Sequence, residues 1–385
     1  MNMIRKSILA ALLLAAACPA LPAEAGPRAG TYPWERRAGR PTASDAVLCY
    51  GNSHHRNPYL WDERRFEPYV TYVDEQGREH WLFDSFLCIE FVMVPYSINL
   101  GQKRTSGGRE QWQELIDYWF GPDNGVNALE EAIGEAAARL GAPAGKRKVV
   151  MVMPDPIIYE EYADTNTSTT YWGELNGRRL DFAKASDRIA AYKWYIDSVR
   201  RLFDEADYRY VELAGFYIVS EDLATPGDGW NPELKRWEEV IPEVAEYLHA
   251  LNESLCWIPY NRAAGYRNWK RFGIDYAYMQ PNYFWDDKGE KPLSRFFSDI
   301  KANDLAMEFE FDDALLEKTA GSEVYRRRLR EYMDGAKEHG IYGRKPLAYY
   351  HGQNTLYELS VSAAAEDRKL YHEFCRFVLD NPLRK

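Results

Sequence analysis

Cysteine is scarce in this chain, five in 385 residues, and no two stand in a CxxC spacing or beside histidines in a ligand pattern. A structural zinc site and a disulfide-stapled miniprotein are thereby set aside. Long apolar runs are also missing: beyond the first residues no segment reaches the roughly 18 uninterrupted apolar positions a bilayer span needs. Positive charge falls short of negative, 48 Lys and Arg against 59 Asp and Glu, for a net charge of −11 without a long basic stretch. Nucleic acid is therefore not an expected partner, because phosphate neutralisation needs a basic patch. No glycine-rich phosphate turn follows the first strand-like run, where Gly51 leads into Asn52-Ser53-His54-His55. That removes the usual nucleotide-binding fingerprint, and the sequence points to no cofactor and no metal.

What is present begins with a leader. Arg5 and Lys6 precede an apolar run from Ile8 to Ala17, and Ala23-Glu24-Ala25 offers a small-x-small exit. Residues 1–25 read as a signal peptide, so the protein is expected to be exported to the periplasm or beyond. An alternative is lipid attachment at Cys18 behind Ala15-Ala16-Ala17, which would make it a surface lipoprotein. Residues 26–44, rich in Gly, Pro and Arg, read as a flexible lead-in, and residues 45–385 as one domain. The remaining cysteines, Cys49, Cys88, Cys256 and Cys375, lie mostly in apolar runs and read as buried thiols, with a Cys49–Cys88 bridge as the alternative.

With 46% hydrophobic and 15% aromatic residues the domain can bury a large core. Eight β-rich apolar runs alternate with amphipathic stretches: 46–51, 86–94, 148–154, 211–220, 254–259, 275–281, 304–311 and 346–351. Helical periodicity lies near 110–120, 127–140, 185–203, 232–251, 292–302, 323–338 and 366–379, with a shorter candidate at 265–272. This is the pattern of parallel strands with crossover helices, and eight of them predict an α/β fold of the (β/α)8 barrel type; an open doubly wound sheet is the alternative.

In such a barrel chemistry sits at the carboxyl ends of the strands. One apolar run there, through Phe216-Tyr217-Ile218-Val219, stops at Ser220-Glu221. In Met307-Glu308-Phe309-Glu310-Phe311-Asp312 acids alternate with apolar residues, so period two puts Glu308, Glu310 and Asp312 on one face. The helix-facing side must be apolar, which turns the acids inward. Burying several carboxylates is costly, and chains accept that cost mainly at functional sites. Carboxyls on the fourth and seventh strands can lie ~5–5.5 Å apart, the separation of a retaining glycosidase. Glu221 is then the expected acid/base and Glu310 the nucleophile, with Glu308 a layer deeper. A structural ion-pair role is the alternative for Glu308 and Glu310, and a loop or cap role for Asp222 and Asp312.

A carbohydrate partner is consistent with the polar and aromatic residues near the other strand ends. The candidate binding set is His54, His55, Glu90, Tyr217, Asn261, Gln280, Asn282, Trp285, Glu308, Tyr349 and His351. Trp172, Trp230, Trp257 and Tyr283 are further possible stacking platforms or ordinary core. The polar loop 159–176 is a candidate lid.

The segments Tyr50-Gly51-Asn52-Ser53-His54-His55, Trp81 to Leu87, Gly215-Phe216-Tyr217 through Glu221, Met279 to Phe284 and Glu308 to Asp312 together resemble an exported bacterial family. It is known only as domain of unknown function 4855 and grouped with the TIM-barrel glycosidases. The resemblance runs from about residue 45 to 380 and implies a barrel with a glycosidase-like site, without a substrate. Glu221 and Glu310 match the strand-four and strand-seven carboxylates of retaining barrel glycosidases by position; Ser220 stands where the largest such clan carries Asn. Two other readings follow from the same residues. One is a non-catalytic glycan-binding barrel; the other is a metal-assisted hydrolase or lyase using Glu90, Glu310 and His351.

Overall fold

Runs dense in Val, Ile, Leu, Met and aromatics form eight strands in the computed structural model of the chain. The structure describes residues 43–51, 60–90, 92–93, 96–97, 105–156, 171–225, 236–352 and 354–384. The strands are β1 (Asp45–Tyr50), β2 (Ser85–Ile89), β3 (Arg147–Met153), β4 (Val211–Ile218), β5 (Ser254–Trp257), β6 (Tyr276–Met279), β7 (Ala306–Glu310) and β8 (Leu347–Tyr350). Each pairs in parallel with its chain neighbours, and β1 pairs with both β2 and β8, so the barrel closes. Both faces of such a strand are covered, one by the barrel interior and one by helices. Val149 to Met153 of β3 are accordingly no more than 1% exposed.

The helices around the barrel are α1 (Glu63–Val70), α2 (Arg109–Trp119), α3 (Gly125–Leu140), α4 (Ala185–Ala206), α5 (Trp237–Ala250), α6 (Leu293–Ala302), α7 (Ser322–Glu338), α8 (Thr355–Val361) and α9 (Ala365–Leu379). The apolar stripe of each faces the strands: α4 buries Ala191, Tyr192, Tyr195, Ile196 and Val199 at helical spacing. Two helices were not expected. One is α1, whose Glu-Arg-Arg start and internal Pro68 hide a helix capped by Asp62, which accepts from the Arg65 backbone at 2.8 Å. The other is the short α8. The expected helix at 265–272 is a single 3-10 turn, Trp269–Phe272.

The second strand is shorter than predicted. It stops at Ile89, and Val92–Met93 turns away to pair antiparallel with Tyr96–Ser97 in a small separate sheet. Glu90 therefore follows the strand rather than lying within it.

The seam of the barrel is held at its amino end. Buried Asp45 accepts from the Tyr349 hydroxyl (2.6 Å), from Ser44 Oγ (2.7 Å) and from Asn381 Nδ2, and Arg384 stands 3.5 Å away. First strand, last strand and C-terminal segment are thereby tied to one carboxyl. Burial pushes that carboxyl up to about 6, against the pull of Arg384 and with Asp84 adding to the rise. Cys49 and Cys88 face each other in register on β1 and β2, yet both are free, buried thiols, as are Cys256 and Cys375.

Candidate active site

The phase of β7 is set by its apolar residues. Phe309 packs against Tyr332 of α7 (ring centroids 5.8 Å) and Phe377 of α9 (5.4 Å), and Phe311 against Phe374 (5.3 Å). Alternation then sends Glu308 and Glu310 into the barrel, where they are 2% and 3% exposed. Asp312 lies beyond the strand, capping the next turn through the Ala314 backbone (3.0 Å) and accepting from Trp285 Nε1 (2.9 Å).

In β4 the register slips between Leu213 and Gly215, and Gly215 has φ +150° with its Cα against the Ser254 carbonyl, where no Cβ fits. Bulges of this kind re-aim the residues that follow. Phe216 packs outward on Tyr195 of α4, leaving Tyr217 inward. After the strand, Trp257 Nε1 donates to the Ser220 carbonyl at 2.7 Å and anchors the turn that presents Glu221 at the barrel mouth. Asp222 turns back to cap the Ala224 N–H (2.7 Å), a loop role.

Strand β6 supplies the link between the two acids. Gln280 Nε2 donates to Glu221 Oε1 at 2.7 Å. Asn282 Nδ2 lies 3.1 Å from Gln280 Oε1 and 3.1 Å from Glu310 Oε1, while the Asn282 backbone N–H donates to Glu310 Oε2 at 2.5 Å. A continuous chain, Glu221–Gln280–Asn282–Glu310, thus joins the ends of β4 and β7. Asn282 sits at φ +50°, in the left-handed region that asparagine tolerates better than most residues, and this aims its N–H at the carboxylate. Asn261 holds it there: its N–H donates to Asn282 Oδ1 and its Nδ2 to the Pro281 carbonyl, each at 2.8 Å.

The carboxyls share one electrostatic environment. Glu308 is driven well above the usual range by burial, then by Glu310 and Glu221. Burial also raises Glu310, to about 8, with Glu221 adding to the rise and the Asn282 donors opposing it. Glu221 is open to solvent on one side, yet the surrounding protein raises its carboxyl while the Gln280 bond lowers it. Closely coupled acids share protons as a group. Glu308 receives no hydrogen bond among the described residues, whereas Glu310 accepts from two Asn282 donors, so ionisation is favoured at Glu310 over Glu308.

Several expected binding residues lie elsewhere. Tyr349 and His351 are on the outer side of β8. Tyr349 packs on Phe374 and donates to Asp45, while buried His351 packs near Tyr69 and Phe311, with Nε2 3.0 Å from the Leu48 carbonyl. Burial lowers its imidazole to about 3. Glu90, Glu310 and His351 therefore do not converge on a metal, and no group of three acidic, His or Cys side chains among the described residues has metal-holding geometry. Asn261 is a clamp on the 281–282 backbone. Trp172 and Trp257 are buried core, and Tyr283 donates outward to Glu331 (2.7 Å). Glu90 is fully buried beside the end of β2. His54, His55 and Trp230 lie outside the described residues, as does most of the proposed lid. Its end, Tyr171–Leu175, forms a hairpin with Arg178–Asp181.

Three residues absent from the expected set, Tyr50, Tyr260 and Tyr350, stand at the mouth beside the expected Tyr217 and Trp285. Tyr350 is the register partner of Glu310, so it points inward on β8, 5.5 Å from Tyr50 and 6.1 Å from Trp285 by ring centroid. Burial raises the hydroxyls of Tyr50 and Tyr217, and nearby Glu308 and Glu221 add to the rise. Tyr260, 38% exposed, and Trp285, 39% exposed, are the open aromatic faces of the rim. Reading β8 with the period applied to β7 would have exposed Tyr350 as one of two choices of face.

Fold and site together define a closed parallel (β/α)8 barrel with acidic side chains gathered at the carboxyl ends of its fourth and seventh strands. The chain belongs to the family described as Domain of unknown function (DUF4855), whose model matches residues 45–376. No curated protein matches it. Among solved structures it is similar in fold to the catalytic domain of a family GH18 chitinase from the fern Peteris ryukyuensis, at 11% identity and TM-score 0.41, covering 87% of this chain and 99% of that one. A putative α-L-fucosidase from Bacteroides thetaiotaomicron is similar at 13% identity and TM-score 0.45, covering 88% and 96%. An endocellulase from Pyrococcus horikoshii is similar at 12% identity and TM-score 0.42, covering 88% and 93%.

Proposed function

We propose that the protein is a retaining glycoside hydrolase that uses Glu310 as nucleophile and Glu221 as acid/base. The observation that carries this reading is the hydrogen-bonded chain through Gln280 and Asn282, which links the two carboxyls at the carboxyl end of the barrel. Glu310, with two donors on it, is the better suited of the two β7 acids to ionise and attack an anomeric carbon. Glu221, desolvated but reachable at the mouth, is suited to hold a proton and deliver it to the leaving oxygen. The glycosidic C–O bond breaks as the bond from Glu310 Oε to the anomeric carbon forms. A water molecule then gives its proton to Glu221 and its oxygen to the anomeric carbon, freeing Glu310. Tyr260, Trp285 and Tyr350 offer aromatic faces for sugar C–H groups, and Gln280 a polar group for hydroxyls.

Export fits this role, since polymeric sugars are met outside the cytoplasm. N-terminal sequencing of the mature protein would place cleavage after Ala25 or attachment at Cys18. The enzyme reading is tested by incubating wild type, Glu310→Gln and Glu221→Gln with a polysaccharide panel and measuring released reducing sugar. Turnover by wild type alone, with all three proteins folded, is the expected result. Equal behaviour of the three proteins would reduce the barrel to a glycan-binding module.

A further inference from the structure

We propose that the sugar ring held between Glu221 and Glu310 carries a free amino group, paired with Glu308, so that the substrate is a polymer of non-acetylated hexosamine. This rests on the glycosidase reading above and names its substrate class. The argument is one of missing counter-charge. Four other buried acids in this fold face an arginine: Asp45 has Arg384 at 3.5 Å, Glu253 has Arg200 at 3.2 Å, Asp187 has Arg178 at 2.6 Å and Asp367 has Arg326 at 3.6 Å. Glu308, at 2% exposure, has no cation and no hydrogen-bond donor among the described residues, and it points into the barrel with Glu310, within the electrostatic reach of Glu221. Lys291, in the exposed loop after β6, reaches Glu310 through its field without an ion pair among the described residues.

A coupled group of acids with no ion-paired cation among the described residues disfavours uronic and sulfated sugars, whose charge would oppose ionisation of the group, and gains nothing extra from a neutral one. An ammonium group is a compact charge with three donors, and it satisfies Glu308 while giving it a reason to ionise. The phenol of Tyr217, 3% exposed and also near Glu308, offers a further hydrogen-bond partner for the same group. A divalent cation would be the other way to balance the charge, but the described acids lack a metal-holding arrangement.

The test uses the full chain and four sets of oligosaccharides matched in length: hexosamine oligomers of gluco and galacto configuration, their N-acetylated forms, unsubstituted hexose oligomers and uronic acid oligomers. Binding is measured by calorimetry on Glu310→Gln, with and without Glu308→Gln, and cleavage on wild type with and without EDTA. Free-amine oligomers are expected to bind at least about tenfold more tightly than their acetylated forms, the scale of one hydrogen bond to a charged group. Glu308→Gln is expected to erase that preference with no fall in melting temperature, and EDTA to change nothing. Better binding of acetylated, neutral or uronic oligomers, a preference that survives Glu308→Gln, or activity lost to EDTA overturns the proposal. Cleavage of neutral oligomers alone would overturn it and leave the hydrolase intact. Amine-selective binding without released sugar would uphold the amine site and overturn the hydrolase.

Discussion

Replacing Asn282 by glycine isolates what its side chain does for Glu310. Glycine keeps the left-handed backbone at φ +50°, so the backbone N–H still reaches Glu310 Oε2. The amide is lost, and with it the donor 3.1 Å from Glu310 Oε1, the link to Gln280 and the acceptor for the Asn261 N–H. A hydrogen bond to a charged group is worth about 1.5–3 kcal/mol, so the ionised form of Glu310 loses about that much. At ~1.4 kcal/mol per pH unit, the Glu310 titration should rise by about one to two units from its already elevated position near 8. The sign follows from the proposed role: a nucleophile must be ionised, so the acidic limb of the pH profile of kcat/KM moves to higher pH. At neutral pH kcat/KM falls ~10- to 100-fold, with thermal stability nearly unchanged. Carbon-13 NMR titration of the glutamate carboxyls reads the shift directly, without any substrate. An unmoved Glu310 titration in Asn282→Gly would refute the account of how this site favours ionisation of Glu310.

Other outcomes follow from neighbouring contacts. Asp45 is raised to about 6 when folded and lies near the ordinary 3.8 when unfolded, so its contribution is full below about pH 4 and is lost as pH rises through 6. Asp45→Asn should flatten that decline, which amounts to about 3 kcal/mol, in urea titrations from pH 4 to 7. Asp45→Ala instead strands Tyr349 and Asn381 and should cost several kcal/mol, about 3, at neutral pH. Gly215→Ala forces a Cβ onto the Ser254 carbonyl in a positive-φ backbone, so a melting temperature close to wild type would contradict the bulge geometry. Trp285→Ala and Tyr350→Ala should raise KM by about tenfold with little change in stability, consistent with stacking losses of ~1–2 kcal/mol. Tyr349→Phe should lower stability by about 1–2 kcal/mol and leave kcat/KM where it was, because its hydroxyl serves Asp45.

The acids of β7 were legible because their alternation with Met307, Phe309 and Phe311 leaves one possible orientation. On β8 the same periodicity places Leu347, Tyr349 and His351 on one face and Ala348 and Tyr350 on the other, and both faces are apolar enough to be buried. Only the register, Phe309 beside Tyr349 and Glu310 beside Tyr350, chooses between them. That is why two predicted binding residues, Tyr349 and His351, belong to the helix side and Tyr350 to the barrel interior. Asn261 is a related case: its position at a strand end was visible, but its amide is occupied by the backbone of the next strand. The Gln280–Asn282 bridge had no sequence signal beyond polar residues at a strand end, since it depends on a left-handed backbone at Asn282.

Local sequence determined the repeating strand–helix order, the two faces of each strand and the arrival of carboxyls at the ends of the fourth and seventh strands. Those features depend on side-chain period and on the cost of burying charge, which act within a few residues. Ring closure decided which strand ends became neighbours, which face of β8 turned inward and how Glu221 and Glu310 came to share one chain of hydrogen bonds. Such choices depend on contacts between residues tens to hundreds of positions apart, and no short stretch of chain contains them.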